Sequence, residues 1–165
     1  MNLIIIGIDH LLQKSNACLK NFIATITESE QPTLIGEEAA GDTVARQVAG
    51  SKGIRWIEID MDPQQRMAAG IGQKLINRMQ VRYETDGTVV QRIRYAPTED
   101  GIREDFWLKR IAEEQDGGTA LIVCGALHAR KLSEKAKQRG HDTKLFFHPD
   151  IPGSQLWISI MPELF

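Results

Sequence analysis

Two aliphatic runs constrain this chain most. Residues 3 to 8 read Leu-Ile-Ile-Ile-Gly-Ile and residues 119 to 124 read Thr-Ala-Leu-Ile-Val-Cys, with none of the polar alternation of a half-exposed strand. Runs of this kind suit strands covered on both faces, the usual fate of the central strands of a parallel sheet. Such strands need helices above and below them. The intervening sequence supplies those helices: Leu19, Phe22, Ile23 and Ile26 fall at helical spacing, and Gln31-Pro32 stops that helix before a short second strand over Thr33 to Gly36. Asp42 reads as the cap of a helix carrying Val44, Ala45 and Val48, which ends near Gly50 and Gly53. Ile54 to Ile59, β-branched and aromatic, reads as a third strand.

Pro63 suits the first turn of another helix, and Met67, Ile71, Leu75, Ile76 and Met79 continue at roughly helical intervals to Tyr83, with Gly70 and Gly72 able to divide it. Residues 84 to 102 are less legible: Asp86-Gly87 signals a turn, Val89 to Tyr95 suits strand or helix, and Ala96-Pro97 ends it. From Thr98 or Asp100 a helix runs to about Gln115, with Ile102, Phe106, Leu108 and Ile111 inward. After Gly117-Gly118 come the second aliphatic strand, a helix from Ala126 to Arg139 stopped by Gly140, and a strand over Thr143 to Phe147. That is a βαβ unit, whose right-handed crossover makes its strands parallel. Leu156 to Ile160 can add an edge strand, which Pro162 would end. The expectation is one α/β domain over residues 1 to 165, with a mostly parallel sheet and helices on both faces.

Composition narrows the function classes. The 165 residues can bury one sizeable core, and 42% hydrophobic with 25% charged residues is ordinary globular usage. A formal charge of -2 offers no global field for nucleic acid or an anionic membrane. The densest basic stretch, Arg130, Lys131, Lys135, Lys137, Arg139 and Lys144, reads as a solvated helix face, so nucleic acid is not expected as a partner. No aliphatic run approaches the roughly 18 to 20 residues that span a bilayer, and the N-terminus lacks the marks of a secretory signal. Cys18 and Cys124 match neither a disulfide framework nor a zinc spacing, which favours a cytoplasmic setting. Cys124 reads as a small core residue, and Trp56, Trp107 and Trp157 as core or sheet cover.

Open α/β sheets bind ligands beyond the carboxyl ends of their strands. Three strand exits there carry a glycine followed by a chemically useful side chain: Gly7-Ile8-Asp9-His10, Gly36-Glu37-Glu38 and Gly125-Ala126-Leu127-His128. Imidazole supplies a base near neutral pH or a metal ligand, and neighbouring carboxylates can orient it or take a proton. The glycines permit sharp turns and leave room for a ligand. His141 and His148 read as turn or surface residues. Dinucleotide, Walker, nucleophile-elbow and zincin signatures are absent, and the acids within Gly36-Glu-Glu-Ala-Ala-Gly41 would repel phosphate.

The order of Gly7-x-x-His10, Glu37-Glu38, Arg103-Glu104-x-x-Trp107 at a helix start and Gly125-x-x-His128 resembles the superfamily of TraB, Tiki, erythromycin esterase and ChaN-like proteins. The resemblance runs from residue 3 to about 147. It implies paired histidines His10 and His128, an acidic partner at Glu37 or Glu38, and a basic group at Arg103. Trp107 stands where that family has Met or an aliphatic residue, Glu104 replaces Asp or Asn, and this chain is shorter than typical members.

The resulting expectation is a hydrolase-like protein in which His10, His128, Glu37, Glu38 and Arg103 activate water on an ester or amide of a small molecule or peptide, directly or through a divalent metal ion. Arg103 would bind an anionic group or a developing oxyanion. The alternative is a non-enzymatic module on the same scaffold that holds a protein partner.

Overall fold

The computed structural model describes residues 1–71, 79–83, 89–94, 97–115 and 117–148. The two aliphatic runs become β1 (Asn2–Ile8) and β6 (Thr119–Gly125), which pair in parallel over their whole length, from Asn2 opposite Thr119 to Ile8 opposite Gly125. With β2 (Leu34–Glu37), β3 (Arg55–Glu58) and β7 (Asp142–Phe147) they form an all-parallel sheet in the order β3-β2-β6-β1-β7. The α/β fold expected from the sequence is the fold observed.

Strand alternation sorts two apolar layers. Leu3, Ile5, Leu34, Ala120, Ile122 and Cys124 face one side, packed with α4 (Pro97–Glu114) and α5 (Ala126–Gln138) through Trp107, Leu108, Ile111, Ala129, Leu132 and Ala136. Ile4, Ile6, Ile8, Ile35, Leu121 and Val123 face the other, against α1 (Ala17–Glu30) and α2 (Val44–Lys52). Each such aliphatic side chain removed from water contributes about 1.5–3 kcal/mol, so the sheet centre is where the fold is anchored.

Local signals set the ends of these elements. Asn16 caps α1 through Leu19 N–H at 2.8 Å, and Gly53 closes α2 in the left-handed region at φ 65°. Thr43, rather than Asp42, caps α2: its hydroxyl accepts from Arg46 N–H at 3.2 Å, while Asp42 accepts from the Gln47 amide at 3.3 Å. The helix expected over residues 64 to 83 is instead α3 (Pro63–Ala68), started by an Asp62/Gln65 capping box. Gly70 at φ 73° leads the chain out of that helix, and Ile71 is buried beyond it. Met79–Tyr83 is a strand, β4, paired antiparallel with β5 (Val89–Arg94), which resolves the open reading of that stretch. Leu75, Ile76, Asp86-Gly87, Ala96 and the proposed edge strand Leu156 to Ile160, with Trp157 and Pro162, lie outside the described residues.

Topology then positions a site. From β1 the chain crosses through α1 to β2 on one side, whereas from β6 it crosses through α5 to β7 on the other. Connections therefore diverge between the neighbouring strands β1 and β6, the switch point at which an open sheet forms a crevice at its carboxyl edge. Among the described residues no helix is long and apolar enough to cross a membrane.

Candidate active site

A cluster of charged and aromatic side chains meets at that carboxyl edge. Glu38, one residue past β2, has a side chain only 5% exposed, and its Oε2 accepts the Gly125 N–H at 2.8 Å while its Oε1 accepts from Arg103 Nη2 at 2.5 Å. Arg103, 6% exposed, also clamps Asp60 with a planar fork: Nε to Oδ1 at 3.1 Å and Nη2 to Oδ2 at 2.9 Å. Its remaining nitrogen, Nη1, lies 3.3 Å from His128 Nε2 and 3.7 Å from Asp100 Oδ1. Trp107 donates its indole N–H to Asp60 Oδ1 at 3.1 Å and lies edge-on to His128, with ring centroids 4.9 Å apart. Arg66 also pairs with Asp60.

These contacts fix charge states. Burial alone would push the Asp60 carboxyl up, but hydrogen bonds and charge from Arg103, aided by Trp107 and Arg66, hold it below its usual value. Burial likewise opposes the Arg103 cation, and Asp60 with Glu38 more than reverses this, raising its pKa further. Burial, then the charges of Glu38 and Glu104, push the Cys124 thiol far above its usual range, so it is a core group and no nucleophile.

His128 sits in the first turn of α5, and its Nδ1 lies 3.0 Å from Glu104 Oε1, an acceptor. Its Nδ1–H therefore donates to Glu104, and its Nε2 lone pair accepts from the guanidinium, which offers only donors. Glu104 Oε2 faces the Lys135 ammonium at 3.5 Å.

His10 differs. Its side chain is 51% exposed, and its Nε2 stands 3.5 Å from Glu38 Oε2. Asp9 supports the turn beneath it by accepting Leu11 N–H at 2.9 Å. Close approach of the ring requires Gly125: a Cβ there would lie 2.6 Å from His10 Nε2. The room at this glycine is thus taken by His10 itself, and at Gly7 by Phe147 and Ala129, rather than left for a ligand.

Of the five residues singled out from sequence, His10, Glu38, Arg103 and His128 converge on one carboxylate. Glu37 does not. Alternation turns it to the opposite face of the sheet, where Thr43 Oγ1 (2.5 Å), Trp56 Nε1 (2.9 Å) and Gln13 Nε2 (3.3 Å) donate to it. Burial outweighs these donors and raises its pKa. Arg103 lies not at the helix start, where it was expected, but nearly two turns into α4, and four of its five N–H groups are spent on protein acceptors while the fifth belongs to Nη1, 3.7 Å from Asp100 Oδ1. His148 is fully buried and edge-on to Phe22, contrary to its reading as a turn or surface residue, because its backbone extends the β7 ladder through His148 N–H to Gly7 O at 3.1 Å.

Asp60, Gln13 and Glu104 were missed as site residues. Asp60 lies two residues past β3, as Glu38 lies one past β2, and the demand for a preceding glycine hid it. Glu104 stood inside the quoted motif, and nothing in the sequence marks Gln13.

The donors do not fit a divalent metal ion. Glu38 Oε1, both Asp60 oxygens and His128 Nε2 all face the Arg103 guanidinium, and among the described residues no group of three His, Cys, Asp or Glu is arranged to hold a metal. A fixed organic cation already lies between these acids. The chain matches no protein-family model, and neither the curated proteins nor the solved structures contain a significant match.

Proposed function

We propose that this protein hydrolyses an ester or amide by metal-free general base catalysis, with His10 as the base. The observation that carries the reading is the contrast between the histidines: the lone pair of His128 is committed to Arg103, whereas the His10 side chain is half exposed, with Nε2 3.5 Å from a buried carboxylate. A water reaching Nε2 also meets Glu38 Oε2. His10 takes a proton from that water as its oxygen attacks the acyl carbon, and the proton then passes to the leaving alkoxide or amine, which departs as alcohol or amine and leaves a carboxylic acid. Glu38 is the counter-charge for the imidazolium formed on the way, and Arg103 with Asp60 holds Glu38 in place. The likeness to esterases of the TraB and ChaN-like superfamily agrees with this reading as an analogy.

Substrate class follows from the rim. Leu11 (89% exposed), Met67 (72%) and Leu127 (42%) are large apolar side chains, and each is the chain neighbour of a site residue, His10, Arg66 or His128. Apolar surface beside a water-activating base favours a substrate with an apolar acyl or side-chain group.

The test is turnover of p-nitrophenyl esters from acetate to octanoate and of chromogenic peptide amides. The expected outcome is hydrolysis that rises with acyl length and falls about 100-fold or more in His10→Ala, the usual contribution of a positioned base. Absence of turnover across both panels, or turnover unchanged in His10→Ala, overturns the reading and favours the module that uses the same rim to hold a protein partner.

A further inference from the structure

A buried glutamine touching a buried carboxylate on one side and an exposed histidine on the other demands explanation. Polar groups this deep are retained only when their hydrogen bonds are met. Gln13 is 4% exposed, its Nε2 lies 3.3 Å from Glu37 Oε1, and its Oε1 lies 2.9 Å from His10 Nδ1. Its backbone is pinned as well: Gln13 N–H returns to His10 O at 3.3 Å, and Gln13 O accepts Val44 N–H at 2.8 Å. The amide therefore has little freedom except to exchange its two ends.

We propose that Glu37 and Gln13 are positioning residues that set the tautomer of His10, holding its proton on Nδ1 and keeping the Nε2 lone pair toward Glu38. The direction of each bond follows from donor chemistry. Glu37 as a carboxylate only accepts, so Gln13 must turn its NH2 toward it and its oxygen toward His10. Facing a carbonyl oxygen, His10 Nδ1 must carry the proton. Polarity thus runs from a carboxylate on one face of the sheet, through an amide, to an imidazole at its carboxyl edge. Without the relay the competing tautomer gains: with the proton on Nε2, His10 would donate to Glu38 Oε2, 3.5 Å away, and would lack the lone pair a base needs. The groups facing the His10 ring from its neighbours are Glu38 beyond β2, the Gly125 backbone at the start of α5, and Gln13 with Glu37 behind it.

The use of the lone pair as a base rests on the hydrolytic reading, whereas the tautomer does not. Nitrogen-15 NMR of the imidazoles in the full chain reads the tautomer directly, above the pH at which the ring is neutral. The expected wild-type signature for His10 is a protonated Nδ1 and a bare Nε2, with His10→Gln assigning the resonance. Gln13→Met, of similar length but without polar atoms, should move the population toward Nε2–H.

Glu37→Gln gives the sharper outcome. Trp56 can only donate, so the new amide must turn its oxygen to Trp56 and its NH2 to Gln13. Gln13 then exchanges its ends and offers NH2 to His10 Nδ1, which can only accept. A substitution two links away should therefore invert the His10 tautomer, an effect that loss of packing would not produce. The His128 resonances, fixed by Glu104 and Arg103, should stay unchanged and report that the fold is intact. A wild-type His10 protonated on Nε2, or a tautomer unaltered in both variants with unchanged His128 signals, overturns the relay. If the NMR behaves as expected while no substrate turns over, the relay stands and the hydrolytic reading fails.

Discussion

Arg103 offers the most direct test of how the site is held together. Replacing it with Met keeps the apolar stem of the side chain but removes every donor to Glu38 and Asp60, whose side chains are nearly inaccessible to water. Removing one partner of a buried ion pair typically costs about 3–5 kcal/mol, because the charge left behind is desolvated. Here two carboxylates lose their cation, yet Glu38 keeps the Gly125 N–H and Asp60 keeps Trp107 and Arg66. The expected cost at pH 7 is therefore near the middle of that range, about 4 kcal/mol. Arg103→Lys retains the charge but not the fork on Asp60, and should cost about 2 kcal/mol, the worth of one charge-assisted hydrogen bond.

The pH dependence makes this test specific. In the wild type the folded Asp60 carboxyl lies below its unfolded value, so its stabilisation is full above that unfolded value and is lost as pH falls through the folded one. In Arg103→Met burial persists without the guanidinium, so the folded value moves above the unfolded one and the sign reverses. The variant is then penalised at neutral pH and relieved as Asp60 protonates. The gap between wild type and Arg103→Met should shrink by about half between pH 7 and pH 4. Urea unfolding at the two pH values, followed by far-ultraviolet circular dichroism and tryptophan fluorescence, measures it. A gap below about 1 kcal/mol at pH 7, or an equal gap at both pH values, would refute the account of Arg103 as the cation that makes these buried acids tolerable.

Two further outcomes follow from the same geometry. Gly125→Ala places a methyl 2.6 Å from His10 Nε2 at an ordinary φ of -57°, so only the contact is at stake, and the exposed His10 ring can swing away. Stability should fall by about 1 kcal/mol in urea titration, whereas hydrolysis should fall nearly as far as in His10→Ala; equal activity in wild type and variant would remove His10 from the site. Native protein at pH 8 should take up one equivalent of iodoacetamide, at the exposed Cys18, and two only after denaturation, since Cys124 is buried and its thiolate disfavoured. Rapid native labelling of Cys124 would contradict its place in the sheet core.

Legibility in the sequence tracked burial. The strands β1 and β6 and the helices flanking them were readable because a doubly covered strand leaves a continuous aliphatic run and an amphipathic helix a helical period, and the strand exits then pointed to His10, His128 and the pair Glu37-Glu38. Choosing between Glu37 and Glu38 was beyond the sequence, since the choice depends on which of two successive residues points to which face at the last position of β2. The 64–83 segment misled because its apolar residues fit a helical period, while pairing of β4 with β5, a nonlocal contact, decided the outcome. Asp60 and Gln13 were invisible for different reasons: the first obeyed the strand-exit rule without a glycine to announce it, and the second gained its meaning only from Glu37, 24 positions away.

The charge arrangement of the site also bears on what it can accept. Glu38, Asp60, Asp100 and Glu104 stand around Arg66, Arg103 and Lys135, so carboxylates outnumber cations even before Glu37 is counted on the far face. With the guanidinium already paired to Glu38 and Asp60, an anionic group arriving at His10 would meet more carboxylates than cations, which disfavours the anionic ligand that Arg103 suggested from sequence. A neutral ester or amide has no such penalty. In the proposed reaction Glu38, 3.5 Å from His10 Nε2, is the counter-charge at the moment the attacking water gives up its proton. In the proposed reaction Arg103 and His10 thus divide the work of the edge: the buried cation keeps several acids folded in close company, and the acid it holds in place would serve His10 as the base.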